Sequence, residues 1–496
     1  MNQPVRPTWI FSRWAGTLTL LTVLLATLNG WCLLGLPFPL DGDSTGFLPQ
    51  ILAYKNTGKL VNTIYRPALN VSPKKDGRYI WHGILFPILT GKLLPVGTYE
   101  SLAWVLFFYE ILVLACLAFA FSMMRPSDGS AAVGMASSLL VCAAWSSPGR
   151  PELLVSLWVA LGLVVWLNTS ARWQFFIAGA VIGLTACTSP IAGLLLGFLY
   201  AIYGQMSGDW KAGLLSVLAA GMIAAIVFII PFSLYPYTLS EWISGVLGNG
   251  ASTVVYRAVG PREFIQGWLL NSVSPLGLFW IGLCTCLFLL KAWKVFSGRR
   301  SWALAWFILF TSGLFFIVVR TAPDVRIYNL AALIPLFLFL SQFMLWPMTQ
   351  TWSLGKRRLL AAVLLGMALL TALPLFCNCL LRFYADEGLD RSQAKVLVQE
   401  ILQKNRRVDF SLGLFTLTEA PQGTALMPHD YLDRDTIDST ADIVLLQQIN
   451  PYKATPPQYT NYTLVQNYFT SNSPKFCGVI LAKSPRVYNF AIYKRN

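Results

Sequence analysis

Along the first 380 positions, long apolar runs alternate with short stretches that hold most of the charge. A helix needs roughly 20 apolar residues to cross the hydrocarbon of a bilayer. The runs that meet or approach this length are 14–36, 102–122, 130–147, 152–168, 174–188, 190–205, 212–232, 275–293, 302–320, 327–346 and 358–379. The two runs flanking Thr188-Ser189-Pro190 are short, so they predict either two short helices or one helix broken by the proline. The first run, Trp14 to Leu36, is too long for the core of a cleaved signal and lacks a small-residue cleavage site. It reads as a retained signal anchor.

Two intervening segments are too long to be mere connectors. In 37–101, Phe47, Leu48, Ile51 and Leu52 recur at helical spacing, Lys55 and Lys59 follow, and Gly58 stops the pattern. This predicts an amphipathic helix lying in the interface plane. The other segment, 233–274, carries Glu241, Arg257, Arg262 and Glu263 among aromatics. From about Arg382 the pattern becomes that of a soluble domain. Ser392–Lys404 predicts a helix with Ala394, Val396, Leu397 and Ile401 inward, and Ala441–Leu446 predicts a strand. Gly478–Ala482 and Val487–Tyr493, joined at Ser484-Pro485, predict a hairpin. The expected fold is therefore an α-helical polytopic membrane protein with about eleven transmembrane helices and a small C-terminal extracytoplasmic α/β domain. Residues 1–380 form the membrane domain, with outer loops 37–101 and 233–274, and 381–496 form the α/β domain.

Composition sharpens this. The 496 residues are 55% hydrophobic and 12% charged, with a mean hydropathy of +0.57, whereas soluble chains are about one quarter charged. That excludes the several soluble domains the length would otherwise allow. The 37 Lys and Arg against 22 acids fit cytoplasmic loops and anionic lipid headgroups. There is no basic run suited to nucleic acid. With the N-terminus inside, Arg6, Arg13, Arg125, Arg172, Lys211, Lys291, Lys294, Arg299, Arg300 and Lys356–Arg358 fall on the inner face, as the positive-inside rule requires. Loop 37–101, with seven Lys or Arg, is long enough to escape that rule. An odd number of spans then puts the C-terminal domain outside. The nine cysteines show no metal-ligand spacing, and most lie in apolar runs.

The candidate chemistry is sparse. Asp41 and Asp43 follow the first span, where a carboxylate at the membrane surface can take the proton of an acceptor hydroxyl. Equally, Asp43 or Ser44 can simply cap the following helix. Arg150 and Glu152 sit in the tight turn between the third and fourth spans, either reaching into a cavity or snorkelling to headgroups. Glu110 falls within the second span and so faces the bundle interior, to bind substrate or to hold helices together. His82 lies in Trp-His-Gly-Ile-Leu-Phe-Pro with no second ligand nearby. Arg320 and Arg326 flank the turn that leads to Tyr328, and Arg257 sits in the second large loop. Guanidinium groups grip phosphate oxygens in bidentate fashion or make routine headgroup contacts.

Asp41-Gly-Asp43-Ser-Thr-Gly-Phe47, the helix that closes at Gly58, Trp81 to Pro87, Gly179 to Pro190, and Arg326-Ile-Tyr328 with Pro335 together resemble the GT-C superfamily of membrane glycosyltransferases. Its members include protein O-mannosyltransferases and the aminoarabinose transferases of lipid A. Many members carry adjacent acids in the first loop, whereas Gly42 separates two aspartates here, and the spacing to Phe47 favours Asp43 as the base. The resemblance implies inverting transfer of a sugar from a polyprenyl-phosphate carrier to a glycan, lipid or protein acceptor on the extracytoplasmic face of a bacterial inner membrane. Asp43 or Asp41 would be the base, and Arg320 and Arg326 would hold the phosphate. Arg150 and Glu152 would shape the sugar cavity, joined by His82, Glu110, Arg257 and Tyr328 as substrate-binding candidates. It implies no cofactor where Arg and Lys stabilise the charge, although oligosaccharyl-transferring relatives use a divalent metal. A secondary transporter and a non-catalytic component of an envelope polysaccharide system are the rival readings. The transporter lacks the matched breaks in two halves that such folds show.

Overall fold

The computed structural model describes residues 13–35, 44–60, 83–124, 128–146, 149–170, 173–207, 210–229, 332–373, 391–411, 425–429, 440–447, 459–468, 475–476, 479–480 and 490–496, with isolated residues between these stretches. The helical part comprises α1 (Arg13–Gly35), α2 (Ser44–Thr57), α3 (Leu85–Leu93), α4 (Tyr99–Met123), α5 (Gly129–Trp145), α6 (Glu152–Asn168), α7 (Gln174–Thr188), α8 (Pro190–Ser207), α9 (Trp210–Ile229), α10 (Ile334–Thr349) and α11 (Leu354–Thr371). Helix α12 (Arg391–Lys404) and strands β1 (Arg407–Ser411), β2 (Ala425–His429), β3 (Ile443–Gln447), β4 (Tyr462–Tyr468), β5 (Lys475–Phe476), β6 (Val479–Ile480) and β7 (Phe490–Arg495) follow.

The bundle is apolar on its outside as well as its inside. Leu20 is 70% exposed, and Val23, Leu24, Trp104, Phe108, Leu214, Leu218, Met222, Ile226, Leu359 and Leu370 are all exposed. A water-facing helix carries polar residues on that side, so these faces suit lipid. Among the described residues, α4 is the one helix both long and apolar enough to cross a bilayer unaided. Ala15–Trp31, Gly129–Trp145, Glu152–Asn168, Gln174–Thr188, Leu214–Ala224 and Ile334–Thr349 are shorter apolar helices. The spans expected at 275–293 and 302–320 lie almost wholly outside the described residues.

At Thr188-Ser189-Pro190 the chain forms two helices. Ser189 is extended (φ −143°, ψ 103°), and a Cβ built on Gly193 would lie 2.5 Å from the Cα of Ala186. The two helices therefore fold back on each other. Small residues also set the α7–α9 contact: a Cβ on Gly179 would meet the Ser216 carbonyl oxygen at 2.8 Å, and one on Gly183 the Ala220 carbonyl oxygen at 2.9 Å. Lipid gives no hydrophobic drive for helices to associate, so such close backbone approach supplies dispersion contacts instead.

Helix α2 ends as its sequence predicts. Gly58 takes φ +71° and its N–H donates to the Tyr54 carbonyl at 2.9 Å. Its burial differs from the amphipathic expectation. All residues from Phe47 to Ala53 are buried, Gln50 included, because α3 crosses it closely at Gly91, where a Cβ would come within 2.7 Å of the Tyr54 ring.

The bundle has two distinguishable ends. At one, Asp128 caps α5 by accepting from the Ser130 N–H at 2.9 Å, and Arg357 of α11 reaches the same carboxylate at 2.5 Å. At the other, Glu100 in the first turn of α4 pairs with Lys395 of α12 at 2.9 Å. The C-terminal fold thus docks at the end where α4 begins.

Beyond α12, a mixed five-stranded sheet has the order β2-β1-β3-β7-β4. Strand β1 lies parallel to β2 and β3, and β7 is antiparallel to β3 and β4. Ala394, Val398 and Leu402 of α12 pack with Val408, Phe410, Ile443, Leu445 and Ile492 on one face, while Val444, Leu446, Tyr462, Ala491 and Tyr493 fill the other. Two expectations are corrected. Val396 is 60% exposed, because the i, i+4, i+8 line through Ala394 turns it outward. Among the described residues the expected hairpin is not formed: β6 pairs with β5, while β7 lies between β3 and β4, where two neighbours satisfy both of its edges.

Candidate functional site

The described part of the site gathers around the first two turns of α6. Glu152 is the first residue of that helix, where a carboxylate also meets the positive end of the helix dipole. The Arg150 Nε donates to Glu152 Oε2 at 3.1 Å, and the two side chains are only 1% and 5% exposed. A snorkelling surface pair is therefore ruled out for them. Glu152 Oε1 is buried without a hydrogen-bond partner. A buried carboxylate oxygen normally has one, so this atom can accept from a ligand hydroxyl or a water.

Arg150 also lies over the ring of Phe47, its Cζ 5.8 Å from the centroid. Phe47 belongs to the first turn of α2, so this contact brings the first-loop helix against the α5–α6 turn across more than a hundred residues of sequence. A stripped guanidinium over an aromatic face is an attractive arrangement in a dry setting.

Two turns along α6, the Trp158 Nε1 donates to Thr188 Oγ1 at 3.0 Å. This fastens α6 to the α7–α8 corner. Gly83 presses on the same corner: a Cβ there would fall 1.8 Å from the Cys187 carbonyl oxygen and 2.2 Å from its carbon. Only glycine fits so close a backbone approach. Gly83, just ahead of α3, is thus held against the end of α7, which Trp158 ties to α6.

Glu110 lies deeper. Its Oε1 accepts from Asn29 Nδ2 of α1 and from Ser146 Oγ, the residue that ends α5, at 2.8 Å. Ser146 Oγ and Asn29 Nδ2 also reach the Ala143 carbonyl, at 3.0 and 3.4 Å. From Tyr99 to Glu110, α4 rises about 16 Å. Helix α5 therefore stops well below the start of α4, and the turn carrying Arg150 is sunk into the bundle. This explains the burial of a charged pair that sequence places in a loop.

Of the residues singled out in the sequence, Arg150, Glu152 and Glu110 are placed, and Arg150, paired with Glu152, meets the first-loop helix. Asp41, Asp43, His82, Arg257, Arg320, Arg326 and Tyr328 lie outside the described residues. Asn29, Ser146, Trp158 and Thr188 were not anticipated as site residues. Asn29 carried a usable signal, an amide inside an otherwise apolar run. Among the described residues no group of three or more His, Cys, Asp or Glu could hold a metal, and Cys116, Cys142, Cys187 and Cys286 are free thiols.

No protein-family model matches the chain, and no curated protein matches it. Among solved structures, it is similar to ArnT from Cupriavidus metallidurans in the apo state, at 14% sequence identity and a TM-score of 0.49, over 97% of this chain and 98% of that one. ArnT is an aminoarabinose transferase of the GT-C type.

Proposed function

We propose that this chain is an inverting membrane glycosyltransferase that moves a sugar from a polyprenyl-phosphate carrier to an acceptor on the extracytoplasmic face of a bacterial inner membrane. The observation that carries the reading is the contact of the first-loop helix, through Phe47, with the buried Arg150–Glu152 pair. The acidic segment Asp41–Asp43 immediately precedes α2 in the sequence, and the turn that α2 touches is buried and charged, which supports the reading.

In the reaction, a carboxylate of Asp43, or of Asp41, takes the proton of the acceptor hydroxyl as its oxygen attacks the anomeric carbon. The bond from that carbon to the phosphate oxygen breaks, and polyprenyl phosphate leaves with the electron pair. Arg320, Arg326 and Arg257 spread the charge that develops on the phosphate, so the step needs no metal. Glu152 Oε1 receives a sugar hydroxyl, while His82 and Tyr328 complete the cavity. The C-terminal domain, tied to the start of α4 by Lys395, helps to select a glycan, lipid or protein acceptor.

The test is sugar transfer by purified protein supplied with polyprenyl-phosphate sugars. Asp43→Asn is expected to lower the rate by about 10²–10⁴, the range for loss of a general base. Unchanged transfer removes Asp43 as that base, and no transfer by the unaltered protein from any donor in a broad panel overturns the reading.

A further inference from the structure

Glu110 was open to two roles, ligand or brace. Its environment in the fold favours the brace and gives it a consequence for the site. We infer that Glu110 is a positioning residue: with Asn29 and Ser146 it sets the depth at which α5 ends, and thereby the place of the Arg150–Glu152 turn. The inference rests on the glycosyltransferase reading for its consequence, not for its geometry.

The geometry is specific. One carboxylate oxygen gathers donors from two other helices, Asn29 from the second half of α1 and Ser146 from the end of α5. Both donors also reach the Ala143 carbonyl, which lies in the last turn of α5 and also accepts from the Ser146 N–H at 3.4 Å. The clasp therefore caps α5 as well as tying it to α1 and α4. Inside a bilayer no water is at hand to take over such carbonyls, so the end point of α5 is pinned to the level of Glu110. Only three residues separate Ser146 from Arg150. A shift of that end point moves the guanidinium off the Phe47 ring and carries Glu152 with it, and small misplacements at a reacting centre have large kinetic effects.

A positioning role makes two demands that a ligand or proton-transfer role does not. Gln at 110 retains an acceptor oxygen for Ser146 and Asn29, so Glu110→Gln should keep activity within about threefold of the unaltered protein. Glu110→Ala should raise the donor KM about tenfold and leave the acceptor KM unchanged, because the displaced turn serves the donor sugar. Ser146→Ala and Asn29→Ala should move the same constant by smaller factors, and Glu110→Ala/Ser146→Ala should be no worse than Glu110→Ala alone. They also serve as gentler probes if Glu110→Ala folds poorly. Glu110→Gln as damaged as Glu110→Ala would overturn the inference, as would a lower yield of folded enzyme with an unchanged donor KM.

A readout free of activity separates this from the functional reading. A cysteine at Gly149 in the turn, followed by site-resolved labelling with a water-soluble maleimide, should react several-fold faster in the Glu110→Ala background and unchanged in Glu110→Gln. Equal rates in all three backgrounds overturn the inference even where transfer is intact. Altered rates in a protein without transferase activity retain the clasp and discard the proposed reaction.

Discussion

Replacing Glu152 with leucine removes the carboxylate that faces Arg150 and keeps a side chain of similar bulk. The guanidinium is 1% exposed, so water cannot take the lost partner's place. Breaking a buried pair by removing one member typically costs about 3–5 kcal/mol. The Phe47 ring lies over the cation and offsets part of this, since a desolvated cation–π contact contributes about 2 kcal/mol. The lower end, about 3 kcal/mol, is therefore expected, which corresponds to about a hundredfold in the folding equilibrium. Titration of the protein in mixed micelles with a denaturing detergent, followed by tryptophan fluorescence, measures it. Arg150→Met/Glu152→Leu removes both charges and should recover most of the loss, because apolar residues often replace a buried pair at little cost. That double variant should nonetheless lack sugar transfer. A single Glu152→Leu variant within about 0.5 kcal/mol of the unaltered protein, the range of an exposed ion pair, would refute the reasoning, since the pair would then be hydrated.

Two further outcomes follow from the ends of the bundle. The Asp128 carboxyl is held below its ordinary range by hydrogen bonds from the Ser130 hydroxyl and N–H, and then by the Arg357 and Arg358 charges. A depressed folded-state pKa adds stability above the unfolded value near 3.9, about where free aspartate titrates, and that stability is lost as pH falls through the folded value. The stability advantage of the unaltered protein over Asp128→Asn should hold from neutral pH to about 5 and vanish in stronger acid; an advantage that grows on acidification contradicts the assignment. For the docked C-terminal fold, cysteines replacing Glu100 and Lys395 should cross-link with a short bifunctional reagent in an otherwise cysteine-free background. Absence of the cross-link under conditions that preserve the fold contradicts the contact seen between Lys395 and Glu100.

Much of the fold was legible in order and extent. Apolar run length located α4, α5, α6, α7 and α9, and the Gly58 stop of α2 followed from the one residue that enters the left-handed region without strain. Helix α12 was placed by its period but with Val396 on the wrong side, because a short amphipathic pattern leaves the face ambiguous until the sheet is in place. The β6–β7 hairpin failed for a related reason. Adjacent β-rich stretches suggest local pairing, but a strand takes the edges that satisfy its backbone, and those belonged to β3 and β4.

The site divides in the same way. Sequence alone determines that Glu110, Arg150 and Glu152 stand in or beside apolar runs, since local composition sets how costly a charge is at each position. Tertiary structure decides what each one meets. That Arg150 is buried against Phe47, that Glu152 keeps one oxygen open, and that Glu110 is spent on Asn29 and Ser146 all depend on where α5 stops relative to α4. No local pattern encodes that offset, because it arises from contacts between helices far apart in the chain.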